Sequence, residues 1–173
     1  MNSYVRKQII RFMILLVLQV LLFNHVHLFG FINPNVYLYA LLMLPLSLPR
    51  SAQFAIAFAT GFIVDIFQMT YGIHASACMF FILIRPYIIN SLNVSKKKNE
   101  NELPIPGKKD LKWLFIYIFI LVFVHQFLFT MLEVFSLKRF GYVLLMMLVN
   151  ALFTTLLILS IEYIFIPKKN KHN

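Results

Sequence analysis

Residues 52–69, AQFAIAFATGFIVDIFQM, followed by Thr70-Tyr71-Gly72 and then residues 74–90, HASACMFFILIRPYIIN, decide how the chain is read. Each run is apolar and close in length to the roughly 17–25 residues that carry a helix across a bilayer. Thr70-Tyr71-Gly72 turns the chain between them. The first run is rich in alanine, and Gly61 stands four residues before Asp65, so the two share a helix face. Ala57 continues that face, and a stripe of small residues lets a neighbouring helix approach closely. The pattern predicts a central helix with Asp65 pointing into a bundle.

Composition agrees with a lipid setting. Of 173 residues, 61% are hydrophobic and 13% charged, against about 45–50% and about 25% in a soluble domain. A soluble fold of this size could not hide so much apolar surface. Sixteen Lys+Arg against six Asp+Glu make the chain basic. The bases cluster at helix ends and in one loop, where anionic inner-leaflet lipid is the expected counterpart; no aromatic-interleaved basic stripe marks a nucleic-acid groove. The single cysteine, Cys78, permits no internal disulfide and reads as a small apolar side chain.

Working outward, the sequence predicts an all-α integral membrane protein of six transmembrane helices forming one domain over residues 1–173. The spans cover about 9–29, 36–48, 52–69, 74–90, 113–135 and 142–166, four before and two after a basic cytoplasmic loop over 91–112. Arg6, Lys7 and Arg11 lead into the first span, and Phe23-Asn24-His25 offers no small-residue cleavage site, which predicts an uncleaved anchor. The second is short and interrupted by Pro45; it reads as a tilted or locally thinned crossing or as a re-entrant segment. With both termini inside, every Lys and Arg except Lys138 and Arg139 falls on the inner side, as the positive-inside rule requires. Tyr37, Tyr39, Tyr71, Tyr87, Trp113, Tyr117 and Tyr142 are expected at the interfaces as an aromatic belt.

Polar groups inside spans are costly and normally face protein or a water-filled cavity. Asp65 has Asn24, His25, His27 and His74 at similar depth; a hydrogen bond to one of them would lock the fold, and an open carboxylate would make a proton or ligand site. Arg85, just before Pro86, matches Glu162 in depth, so the two could pair, or Arg85 could snorkel to inner-leaflet phosphates. Glu133 has Lys138 and Arg139 within reach. Gln19 and Asn150 read as interhelical hydrogen-bonding residues, and His125 as a hydrogen-bonded packing residue. No catalytic constellation, metal-ligand spacing or phosphate-cradling loop is visible, so neither an enzyme nor a cofactor is expected.

The stretch Gly61-Phe62-Ile63-Val64-Asp65, followed by Tyr71-Gly72-Ile73-His74-Ala75, resembles the signature of the rod shape-determining protein MreD family. Gln19 in a basic-led first span, Asn33-Pro34-Asn35 and Arg85-Pro86 fit as well. The resemblance implies a bacterial inner-membrane scaffold of the cell-elongation machinery, without enzymatic activity. It implies association with the bitopic protein MreC, and through it with the MreB filament and peptidoglycan synthases. On this reading Asp65, Gly61, Gly72, His74, Arg85, Pro86 and Glu162 are the structural and partner-interaction candidates. The family's fold is thought similar to the substrate-binding subunits of energy-coupling-factor vitamin transporters, which makes a small-molecule-binding transporter subunit the alternative. That alternative wants an outward cavity lined by convergent polar groups.

Overall fold

The structure, a computed structural model, describes residues 3–22, 33–92, 111–134 and 140–165. These hold six helices: α1 (Ser3–Leu21), α2 (Leu38–Leu42), α3 (Arg50–Gln68), α4 (Ile73–Ser91), α5 (Leu111–Val134) and α6 (Phe140–Phe165). Among the described residues there is no strand. Four helices are long and apolar enough to cross a membrane: α3, α4, α5 over Leu111–Glu133, and α6 over Gly141–Tyr163. The chain is a membrane protein by that measure, and its burial pattern agrees. Phe58, Phe62, Leu83, Leu145 and Leu156 lie on the surface, while Asp65, His74, Arg85, His125 and Glu162 are buried. Apolar outside and polar inside inverts the order that water imposes on a soluble fold.

The long helices pack in chain order, α3 on α4, α4 on α5 and α5 on α6, while α1 touches α2 and α3. On α3 the buried positions are Gln53, Ala57, Thr60, Gly61, Val64 and Asp65, a seam repeating every three or four residues. Helix α3 starts after Pro49, whose extended backbone and missing N–H suit the boundary. The Gln53 side chain covers the start by donating to the Leu48 carbonyl at 2.8 Å. Pro86 stands inside α4 without ending it; the helix continues because its neighbours hold it in register.

Two expectations change here. Helix in the 36–48 stretch is confined to the five residues of α2, a rise of only about 7–8 Å. Pro45 cannot supply an N–H and its ring crowds the preceding turn, so α2 cannot extend through it. From Val36 to Leu44 no residue is more than 8% exposed. This segment threads lengthwise through the bundle interior. From Asn33 to Leu44 the contacts with α6 advance from Asn150 to Glu162 and those with α4 from His74 to Arg85, distances of about 18 Å and about 16 Å along the helices. The second change concerns the aromatic belt. Tyr71, Tyr87 and Tyr142 are exposed, but Tyr37, Tyr39 and Tyr117 are fully buried, because each hydroxyl is tied to a polar group of the interior.

An irregular backbone at membrane depth is tolerated only where protein satisfies its N–H and C=O groups. The buried thread meets that demand with side chains from the surrounding helices. Gln19 of α1 donates to the Pro34 carbonyl at 3.2 Å and accepts from the Tyr37 N–H at 3.3 Å. Asn150 and Thr154 of α6 accept from the backbone N–H groups of Asn33 at 2.7 Å and Asn35 at 3.3 Å. Gln126 of α5 accepts from the Asn35 amide at 3.0 Å. Polar residues that looked out of place in apolar helices thus complete a segment that is not helical.

Candidate functional site

The turn between α3 and α4 is built around Asp65. Gly72, the N-cap residue of α4, has no side chain to cap the helix. Asp65 takes over that role from the neighbouring helix. Its Oδ1 accepts from the His74 N–H at 3.0 Å and its Oδ2 from the Ala75 N–H at 2.9 Å. The Thr70 hydroxyl donates to Oδ1 as well, and the Asp65 main-chain carbonyl accepts from the Thr70 N–H at 3.2 Å. A carboxylate against two free N–H groups at a helix N-terminus is favoured by hydrogen bonding and by the helix dipole together. The turn is tight: Met69, Tyr71 and Gly72 have φ of 56°, 51° and 92°, the left-handed region that favours glycine. Gly61 lies one helical turn before Asp65, where the backbone of α4 comes close. A Cβ there would meet Ala75 Cα at 2.5 Å and the His74 carbonyl oxygen at 2.6 Å.

Beside this turn lies a cluster centred on the fully buried Tyr37. Its hydroxyl is 3.0 Å from His74 Nδ1 and 2.9 Å from His125 Nε2. His74 Nε2 continues to Gln68 Oε1 at 2.7 Å, and Phe129 lies against the His74 ring with centroids 4.4 Å apart. Cys78 Sγ sits 3.7 Å from the Tyr37 hydroxyl. His125 Nδ1 is buried with no hydrogen-bond partner.

At the opposite end of the thread stands Arg85, wholly buried. Its Nη2 donates to the carbonyls of Leu42 at 2.9 Å and Leu44 at 2.6 Å, and its Nε to the Tyr117 hydroxyl at 3.1 Å. These carbonyls close the C-terminal end of α2, where orphan acceptors and the negative end of the helix dipole favour a cation. Arg85 therefore neither pairs with Glu162 nor snorkels. Glu162 accepts a hydrogen bond from Tyr39, and Arg11 of α1 acts on it electrostatically. Short α2 thus meets Arg85 through the carbonyls at its C-terminal end and Glu162 through the side chain of Tyr39.

Of the sequence candidates, Gly61, Asp65, Gly72 and His74 converge at the α3–α4 turn, while Arg85 and Glu162 serve the two sides of the buried thread. Pro86 follows Arg85 within α4. Asn24, His25, His27, Lys138 and Arg139, and most of the 91–112 loop, lie outside the described residues; Glu133 is exposed at the end of α5. Sequence reasoning placed Tyr37 and Tyr39 at the interfaces and passed over Gln126, whose signal was a polar side chain in the middle of an otherwise apolar run. Among the described residues no group of three or more His, Cys, Asp or Glu is placed to hold a metal ion. Comparison of the chain with protein-family models, curated proteins and solved structures finds no match.

Proposed function

We propose that the chain is an inner-membrane scaffold of the bacterial cell-elongation machinery, similar to the MreD family, which binds an MreC-like bitopic partner and through it supports peptidoglycan synthesis and cell shape. The observation that carries this reading is how the interior polar groups are used. Asp65 caps a helix, Arg85 closes α2, and Gln19, Asn150 and Thr154 satisfy the buried thread. A small-molecule-binding transporter subunit needs such groups to converge on a space left for a ligand; here they converge on the protein's own backbone. The resemblance over Gly61–Asp65 and Tyr71–Ala75 supports the same reading. So does the outer face of α3, where Phe58, Phe62, Ile66 and Phe67 are exposed and offer a partner helix an aromatic surface. Purification under mild detergent is expected to recover a protein with one transmembrane helix at near-equal amount. Consistent isolation of the chain alone would remove the proposal.

The reading includes six crossings with both termini in the cytoplasm. On this reading the first crossing lies over residues 9–29 and the second over 36–48. Single cysteines placed in residues 93–110 of a Cys78→Ala background are expected to react with a membrane-impermeant maleimide only after the membrane is opened. Labelling of intact cells at those positions would reverse the topology.

A further inference from the structure

We propose that Met69 is a reversible oxidation site, at which a hydroperoxide converts the thioether to the sulfoxide while the fold stays intact. The chain has eight methionines, and all but Met1 fall among the described residues. Met43 and Met147 are buried in the interior. Met131 and Met146 are half-buried within α5 and α6. Met13 and Met79 are partly exposed, but each stands on an apolar helix face, Met13 with Ile10, Ile14 and Val17 of α1 and Met79 with Phe80 and Leu83 of α4. In a bilayer such faces meet acyl chains, where water and the polar oxidants it carries are scarce. Met69 differs from all of these. It follows the last residue of α3, in the turn joining two helices that are each long enough to cross a membrane. That places it at a membrane surface, where it is 77% exposed.

The reaction is a two-electron oxygen transfer. A lone pair of Met69 Sδ attacks the outer oxygen of the hydroperoxide, and the S–O bond forms as the O–O bond breaks. The proton of the transferred oxygen passes to the departing one. Sulfur is oxidised by two electrons, and the hydroperoxide is reduced to an alcohol, or to water when it is hydrogen peroxide. In a packed interior the polar sulfoxide disrupts its surroundings. At Met69 it does not, because this residue is held by its main chain. Its N–H donates to the Asp65 carbonyl, as does the N–H of Thr70 at 3.2 Å. The groups on the Asp65 carboxylate come from Thr70, His74 and Ala75, so the thioether has no part in that cap. The new oxygen adds an acceptor among the exposed side chains of Ile66, Phe67 and Tyr71. It changes the polarity of the turn's surface and leaves the α3–α4 contact as it was. Methionine sulfoxide reductases, one for each epimer, restore the thioether.

Peptide mapping by mass spectrometry tests this directly. The full chain is placed in nanodiscs of phosphatidylethanolamine and phosphatidylglycerol and treated with hydrogen peroxide. Both faces of a nanodisc meet solvent, so the outcome does not depend on the topology proposed above. Met69 is expected to oxidise at least about tenfold faster than Met13, Met43, Met79, Met131, Met146 and Met147, as a solvated sulfur against buried or lipid-covered ones. Treatment with both methionine sulfoxide reductases should return it to the thioether. The midpoint of thermal unfolding should be the same before oxidation, after it and after reduction. Met69→Leu, treated in parallel, reports any effect of peroxide elsewhere in the chain. Another of those six methionines oxidising as fast as Met69, a sulfoxide that neither reductase removes, or a midpoint lowered in the oxidised wild type and not in treated Met69→Leu would each overturn the proposal.

Discussion

Replacing Asp65 by leucine is expected to leave little or no folded protein after extraction in mild detergent. The side chain holds the N–H groups of His74 and Ala75 and the Thr70 hydroxyl at once. Each buried donor left without an acceptor costs about 1–3 kcal/mol, and loss of the carboxylate at the N-terminus of α4 removes up to about 2 kcal/mol more. Water at membrane depth is too scarce to replace it. The total, of order 5 kcal/mol, rivals the roughly 5–15 kcal/mol that holds a typical domain together. Asp65→Asn should fall between, because an amide offers one acceptor oxygen where the carboxylate uses two. Midpoints of thermal unfolding in detergent, followed by fluorescence size-exclusion chromatography, should rank wild type above Asp65→Asn above Asp65→Leu. Equal, wild-type-like midpoints for both variants would show that the cap contributes nothing.

The second large effect is expected at Gly61. Most small-to-large changes in a packed interior cost about 1–3 kcal/mol because side chains yield. At Gly61 the obstruction is backbone: Ala75 Cα at 2.5 Å, Ala75 N at 2.6 Å and the His74 carbonyl oxygen at 2.6 Å. No rotamer change relieves such contacts, so α3 and α4 must separate. Separation also lengthens the bonds from Asp65 to His74 N and Ala75 N, one turn away. Gly61→Ala should therefore destabilise by more than about 3 kcal/mol, at or beyond the upper end of that range. Its effect should combine with that of Asp65→Leu to less than the sum, since the two damage one contact. Gly141→Ala is the control: a Cβ there meets nothing within 4 Å, and alanine is the better helix former by about 1 kcal/mol. A Gly61→Ala protein as stable as Gly141→Ala would refute the close crossing.

Much of this was legible from residue order. The runs 52–69 and 74–90 are apolar, uncharged apart from Asp65 and Arg85, and separated by the four residues Thr70 to Ile73, and α3 and α4 follow them to within two residues at each end. Gly61 and Asp65 share a face because four residues make about one helical turn, and that spacing is a local property. The structure adds what Asp65 does with its face: it caps α4, because Gly72 leaves that helix without a side-chain cap. His25 and His27, weighed as its partners, lie outside the described residues, and no spacing rule could have named the N–H groups of His74 and Ala75, which become orphans only once α4 begins at Ile73.

Hydropathy and helical period thus determine by themselves that this chain is helical, that several of its helices suit a bilayer, and that Gly61 and Asp65 act together. Both signals are read within one segment. What occupies the centre of the bundle was decided by tertiary structure alone. Residues 36–44 are as apolar as a lipid-facing helix, and nothing local distinguishes burial in protein from burial in lipid. The distinction arises because helix here is limited to the five residues of α2, leaving backbone groups on both sides of it that lipid cannot satisfy. Only side chains distant in sequence, Gln19, Arg85, Asn150 and Thr154, can reach them.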